Sequence, residues 1–317
     1  MYIITVIKYG LGNKLFMLAY FMYLYKSLRK VDKIYIVQKK SIFENQVIDF
    51  YHIFPNLKKL SWLTFINWDL YDKLKINTIN LNTNSENFSL RLLEIQKKNI
   101  ELTGNFNVTF DSVYFKNYMK KYFIFSSSIK NNITFKYNVD QIILIHIRLG
   151  DKLCMIYNNV IKKNKNIYIV SVFTPEFYKY CVKKILKGNN NIKYIYIFSD
   201  SNKIVQKYYI PVLKKAFKNL SIRLFENKYN NYDIIYIFSI FKYIILSDST
   251  LTYFGTYLSQ RKEKDIWCHY YSIISLDKDE YIINKLTKNE KSYNIVKNKC
   301  FFLSNHPKLL NEMAKTE

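Results

Sequence analysis

Ile142-Ile143-Leu144-Ile145-His146-Ile147-Arg148-Leu149-Gly150-Asp151-Lys152-Leu153 is the stretch on which the reading of this chain turns. Its first six residues form an apolar run of strand length, and four residues able to do chemistry stand at or just past its carboxyl end. In α/β sheets ligands settle just beyond the carboxyl ends of the strands, so a nucleotide site is expected here. Alternation along a strand would put His146 and Arg148 on one face. The planar guanidinium of Arg148 can hold a diphosphate through paired charge-assisted hydrogen bonds. Gly150 lets the backbone turn or approach a ligand closely, and Asp151 adds an acceptor beside a base-capable histidine.

Upstream, residues 2–8 are a β-branched run that ends at Gly10-Leu11-Gly12-Asn13 and gives way to a long apolar helix from about Lys14. Gly10 and Gly12 permit positive φ and close backbone approach, and Asn13 is suited to cap the helix and to offer an amide to a ligand. A second strand over 33–38 completes a βαβ unit, so a parallel sheet with covering helices follows. Residues 126–140 carry little sustained apolar pattern, which places a boundary between an N-terminal domain, 1–138, and a C-terminal domain, 139–317.

Downstream, Thr174-Pro175-Glu176 starts a helix, with Thr174 as N-cap candidate, and the strand Lys193 to Phe198 ends in Ser199-Asp200-Ser201. Asn231 to Lys242 reads as a helix with an Asx cap and Asp233 in its first turn. The strand Tyr243 to Leu246 runs into Ser247-Asp248-Ser249-Thr250, and Tyr253-Phe254-Gly255 opens another helix. Hydroxyls and backbone amides at a helix start after a strand form a phosphate cradle. A further strand is read over Tyr270 to Leu276, and Asp277-Lys278-Asp279, with Glu280 and lysines around it, reads as a solvated loop rather than a metal motif.

Composition supports a folded chain, with 49% hydrophobic and 18% aromatic residues among 317. The formal charge of +25 raises anionic partners, but only 6 Gly and 4 Pro beside abundant Lys, Asn, Ile and Tyr are what an AT-rich genome produces. Lys183-Lys184 accordingly reads as ordinary helix-surface charge. The 4 cysteines show no CxxC pair, so neither a zinc site nor a disulfide framework is read and reduced thiols are expected. The apolar run Leu15 to Tyr25 is too short to span a bilayer and follows a strand. A cytoplasmic protein is expected, without a membrane span and with peripheral contact open to its basic surface.

Four segments, in order, resemble glycosyltransferase family 11, the α-1,2-fucosyltransferases. Gly10-Leu11-Gly12-Asn13-Lys14-Leu15-Phe16 is similar to the family's GLGNQ(L/M)F turn, and His146-Ile147-Arg148-Leu149-Gly150-Asp151 to HxRRGDY. Phe198-Ser199-Asp200-Ser201 resembles FSDD, and Ser247 to Gly255 resembles SNS(T/S)FSWWG. Leu149 stands where the family has a second arginine, Lys152 where it has tyrosine, Asp248 where it has asparagine, and Tyr253-Phe254 where it has paired tryptophans.

The resemblance implies a GT-B-like fold of two Rossmann-type domains facing a cleft, and an inverting, metal-independent transfer of L-fucose from GDP-fucose to a glycan hydroxyl. Carried over residue by residue, Arg148 would bind the pyrophosphate, His146 and Asp200 the nucleoside side, and Ser249 and Thr250 phosphate oxygens. Gly255 would allow close packing, and Asn13 would reach the sugar or acceptor. Asp151 is the acidic candidate for a base acting on the acceptor. The expected partners are a nucleotide-sugar donor and a glycan acceptor, with no cofactor and no nucleic acid. Two other readings stand beside this one. Leu149 and Tyr253-Phe254 suggest another nucleotide-activated sugar, and 30 Tyr, 23 Phe and the charge suggest a nucleic-acid binder.

Overall fold

The structure, a computed structural model, describes residues 1–7, 10–28, 31–39, 48–76, 78–82, 99–103, 113–162, 172–225, 229–259, 261, 263–269 and 293–316. The chain divides into two units, Met1–Asn132 and Ile133–Glu317. The division falls a few residues ahead of the 138/139 boundary read from the sequence. The reason is aromatic: the ring of Phe135 meets Phe225 and Phe241 edge-on, which ties residues before 138 to the second unit.

In the first unit β1 (Tyr2–Ile7), β2 (Lys33–Gln38), β3 (Leu63–Ile66), β4 (Ile79–Asn82) and β5 (Ile100–Thr103) form one sheet in the order β3-β2-β1-β5-β4. Every pairing is parallel. The helix Leu11–Ser27 follows β1 and is buried on nearly all sides, as expected of a helix without a polar face. Its N-cap is Gly10 in extended backbone, φ −70°, so the turn does not use the positive φ that glycine permits. Asn13 therefore caps nothing. It lies half-buried inside the first helical turn, with Gly12 buried before it.

The second unit holds β6 (Ile142–Ile147), β7 (Tyr194–Ser199), β8 (Ser221–Leu224), β9 (Tyr243–Ile245), β10 (Asp265–His269) and β11 (Tyr293–Val296). Their order is β11-β10-β9-β6-β7-β8, again all parallel. From β6 the chain steps outward through β7 to β8, then returns to β9 and steps the other way. The order of strands in the sheet reverses its progress between β6 and β9, which is the topological switch point where such sheets bind ligands. All six residues of β6 are buried, as befits a central parallel strand covered on both faces. Ile143, Ile145 and Ile147 pack into a core with Phe177, Cys181 and Val182 of the helix Pro175–Leu186. His146 points to the opposite face, against Phe198 and Phe238. Residues 270–276 and 277–279 lie outside the described residues. No described helix is long and apolar enough to cross a membrane.

Candidate functional site

Arg148 follows the last residue of β6, and its backbone N–H donates to Ser247 Oγ at 3.2 Å, joining the ends of β6 and β9 across the switch point. Its guanidinium is gripped from two sides. One terminal nitrogen lies 2.7 Å from Asp151 Oδ1 and the other 2.8 Å from Asp200 Oδ2. Asp200 stands just past β7, and its second oxygen accepts from the Leu149 N–H at 2.8 Å. Two carboxylates on two different turns thus fix one guanidinium, an arrangement that preorganises it for a third, anionic partner. Arg148 carries five N–H donors, so Nε and the outer hydrogens of both terminal nitrogens remain for that partner.

Gly150 is required by the same contact. A Cβ there would stand 2.6 Å from Asp200 Oδ2, the oxygen that holds Arg148. Gly150 also begins the helix Gly150–Val160, and Thr250 begins the helix Thr250–Leu258 after its N-cap Ser249. Neither N-terminus is capped by its own N-cap side chain. Two helix starts with their positive dipole ends therefore border the switch point.

His146 has another task. Its Nδ1 lies 2.6 Å from Ser247 Oγ and 3.3 Å from Thr252 Oγ1, and its ring is enclosed between Phe198 and Phe238. Burial, followed by the charges of Arg148 and Lys152, holds its pKa down at about 3, so the ring is neutral. Enclosed in this way, His146 offers no surface on which a nucleoside could lie, contrary to the sequence expectation. It positions the turn after β9 instead.

Leu149 is wholly buried in the apolar core with Leu153 and Phe177. Lys152 and Asp248 pair at 2.6 Å, with their side chains 19% and 8% exposed. Both stand at positions where the motifs compared above carry neutral side chains, and here a lysine and an aspartate satisfy one another. Their pairing was not legible in the sequence, because 248 and 152 become neighbours only through the order of the sheet.

Gly255 lies away from these charges, at the crossing of two helices. A Cβ there would meet Ile235 O at 2.7 Å and Phe238 Cβ at 2.8 Å, so glycine sets how closely Thr250–Leu258 approaches Asn231–Ile240. The second of these helices begins with a capping box in which Asn230 accepts from Asp233 N–H while Asp233 Oδ2 accepts from Asn230 N–H. Asp233 is buried, its pKa raised by that burial, and its Oδ1 has no hydrogen-bond partner among the described residues. This orphaned acceptor stands on the chain between β8 and β9, at the helix start on the carboxyl side of the sheet. In the sequence Asp233 is only a helix-start residue. The signal that exposes more, an unfilled carboxylate oxygen, exists only in three dimensions.

The structure therefore gathers Arg148, Asp151, Gly150, Asp200 and the segment carrying Ser249 and Thr250 past the carboxyl ends of the inner strands β6, β7 and β9. Gly10, Gly12 and Asn13 belong to the first unit. Among the described residues no group of three His, Cys, Asp or Glu side chains is placed to hold a metal ion.

No protein-family model matches the sequence and no curated protein matches it. Solved structures do. POFUT1 in complex with GDP-fucose matches at a TM-score of 0.51 and 11% identity, over 83% of this chain and 95% of that one. The apo form of POFUT1 matches at 0.52 and 11%, over 84% and 97%. A point mutant of Arabidopsis thaliana FUT1 in complex with GDP matches at 0.49 and 12%, over 84% and 69%. At such identities the likeness concerns the fold. POFUT1 is a GT-B protein, and this chain has that fold class, an α/β architecture with two all-parallel sheets.

Proposed function

We propose that the chain is a glycosyltransferase that moves L-fucose from GDP-fucose to a glycan hydroxyl with inversion and without a metal, in the manner of the α-1,2-fucosyltransferases. One observation carries this reading: Arg148, held by Asp151 and Asp200 at the switch point, beside two helix N-termini that their own N-cap side chains do not cap. Transfer from a nucleoside-diphosphate sugar breaks the bond between the anomeric carbon and the phosphate oxygen and releases a nucleoside diphosphate, whose developing negative charge must be met by fixed donors. Arg148 meets it with N–H groups already aimed, and the amides of the turns at Gly150 and Ser249-Thr250 add oriented dipoles. Charge count alone does not do this, because three carboxylates surround the two cations Arg148 and Lys152. Geometry has to.

Asp151 takes the role of orienting Arg148, since its Oδ1 is engaged there. That two POFUT1 structures of this fold hold GDP-fucose and GDP is consistent with the same donor class. Asn13, on the first unit, is assigned to the sugar or the acceptor.

The Lys152–Asp248 pair favours one alternative, a different sugar on the same nucleotide, because it changes the wall beside the phosphates. The test is a thermal-shift panel of GDP, GDP-fucose, GDP-mannose, ADP and UDP, with and without EDTA. Stabilisation by GDP and GDP-fucose alone, unchanged by EDTA, is the expected result. A preference for ADP or UDP, or a strict need for a divalent ion, would overturn the donor assignment.

A further inference from the structure

The lysines of the second unit are not spread evenly. Segments 175–187 and 202–218 carry nine lysines, no arginine and a single acidic residue, Glu176. The whole chain has 49 Lys and Arg to 24 Asp and Glu, about two to one. A codon bias toward lysine raises it wherever the chain is solvated, but gives no reason to remove acids from one place. The place is a single surface. The helices Pro175–Leu186 and Ile210–Ala216 pack against each other. Both cover the face of the sheet reached by the successive right-handed crossovers from β6 to β7 and from β7 to β8.

On Pro175–Leu186 the residues Phe177, Tyr178, Cys181, Val182 and Ile185 are buried, which leaves Tyr180, Lys183, Lys184 and then Lys187 outward as one stripe. On the neighbouring segment Leu213 is buried and Lys203, Lys207, Lys214, Lys215 and Lys218 are exposed. Within these two segments the one acid pairs with a lysine, Glu176 lying 2.6 Å from Lys179, and the adjoining helix Pro307–Ala314 adds one exposed acid, Glu312, with exposed Lys308 before it and Lys315 after it in the chain. Tyr180 stands exposed among the lysines, with Lys184 Nζ 5.4 Å from its ring centre, whereas Tyr208, 5.2 Å from Lys207 Nζ, gives its hydroxyl to Glu312 O of the helix Pro307–Ala314. The helices on the other face, Asn231–Ile240 and Thr250–Leu258, contain no lysine at all.

We infer that this face docks the protein on an anionic lipid bilayer surface. A broad two-helix face of point-like ammonium groups with one exposed tyrosine, Tyr180, matches a plane of lipid phosphates and carboxylates. Nucleic acid is the poorer fit, since base and phosphate recognition draws on the bidentate fork of arginine and this face has none. Lys203 lies directly after Ser201 and Asn202, so the face begins beside the turn that carries Asp200.

The test is co-sedimentation of the full chain with phosphatidylcholine vesicles, with and without phosphatidylserine, at low and at high salt. Each lysine near such a surface is worth roughly fivefold in partition, so Lys183→Gln/Lys184→Gln/Lys187→Gln should lower binding to the anionic vesicles by roughly a hundredfold. Lys214→Gln/Lys215→Gln/Lys218→Gln, on the second helix, should do the same independently. All six side chains are exposed, so melting temperatures should not move. The triple Lys58→Gln/Lys59→Gln/Lys73→Gln removes equal charge from exposed positions of the first unit and should cost far less. Equal losses in all three variants, binding to neutral vesicles, or binding to a single-stranded oligonucleotide that the face variants lose while anionic vesicles bind no more than neutral ones, would each overturn the inference.

Discussion

Arg148 bears the heaviest assignment at the level of single residues, and its environment says what a substitution will do. Arg148→Lys keeps the charge but cannot reach Asp151, Asp200 and a diphosphate together, because an ammonium lacks the guanidinium fork. Losing one charge-assisted hydrogen bond is worth roughly 1.5–3 kcal/mol, so turnover should fall about ten- to a hundredfold while the fold survives. Steady-state transfer assays beside a thermal melt check this. Leu149 could not compensate. Read from the sequence as a missing arginine, position 149 invites Leu149→Arg as a harmless repair, but the side chain is wholly buried in the core. A guanidinium there would be buried unpaired, and loss of roughly 3 kcal/mol or more is expected as a lowered melting temperature. His146 makes the pH prediction. Its folded pKa of about 3 lies below its unfolded value near 6.5, so the unfolded chain takes up the proton first and stability is lost as pH falls from about 6.5 toward 3. The slope from this one group reaches about 1.4 kcal/mol per pH unit, and His146→Asn should flatten the stability profile between pH 5 and pH 6.5 by roughly that amount. The sequence placed His146 and Arg148 together but could not tell an enclosed ring from an open one. Burial is decided by Phe198 and Phe238, which come from other elements.

Among the elements, the two glycines of the second unit separate function from packing. At Gly150 an added methyl collides with the end of a side chain, Asp200, which can move only by releasing Arg148 and the Leu149 N–H. Gly150→Ala should therefore weaken GDP binding with little change in melting temperature, as calorimetry would show. At Gly255 the collision is with the backbone oxygen of Ile235, which cannot step aside without separating two helices. Overpacking of this kind costs roughly 1–3 kcal/mol, so Gly255→Ala should lower the melting temperature and spare the affinity of whatever folded protein remains. Strands and turns were the legible part. The β-branched runs at 2–7, 33–38 and 142–147 and the apolar runs before Ser199 and Ser247 are strands in the structure, because central parallel strands are continuous apolar runs that local chemistry alone specifies. Caps were less legible. Asn230 forms its capping box through its own side chain, whereas Asn13, of the same type and also near a helix start, sits inside the first turn after Gly10. Which residue caps depends on where the preceding strand ends, and that is set by pairing.

At the scale of the whole chain, each unit carries its own parallel sheet, and the nucleotide-binding machinery assigned above lies entirely in the second. The sequence could show that strands alternate with helices, but not the order β11-β10-β9-β6-β7-β8, and hence not that Arg148 and Ser247 would meet. The ends of β6 and β9 are about a hundred residues apart in the chain and become neighbours only because β9 returns to pair with β6. Asn13 is the residue that tests whether the first unit takes part in the chemistry. It stands in the first helical turn after β1, half-buried, so an alanine there removes an amide without opening a cavity in the core. If the second unit binds the nucleotide alone and Asn13 acts on the sugar or acceptor, Asn13→Ala should lower turnover roughly tenfold or more, the worth of one polar contact made in the transition state. GDP affinity should stay within about twofold, since none of the groups assigned to GDP is touched. Calorimetry with GDP and a transfer assay on the same preparation give both quantities. Were GDP affinity to fall in step with turnover, the first unit would belong to the nucleotide site, and the division of labour between the two sheets would have to be abandoned.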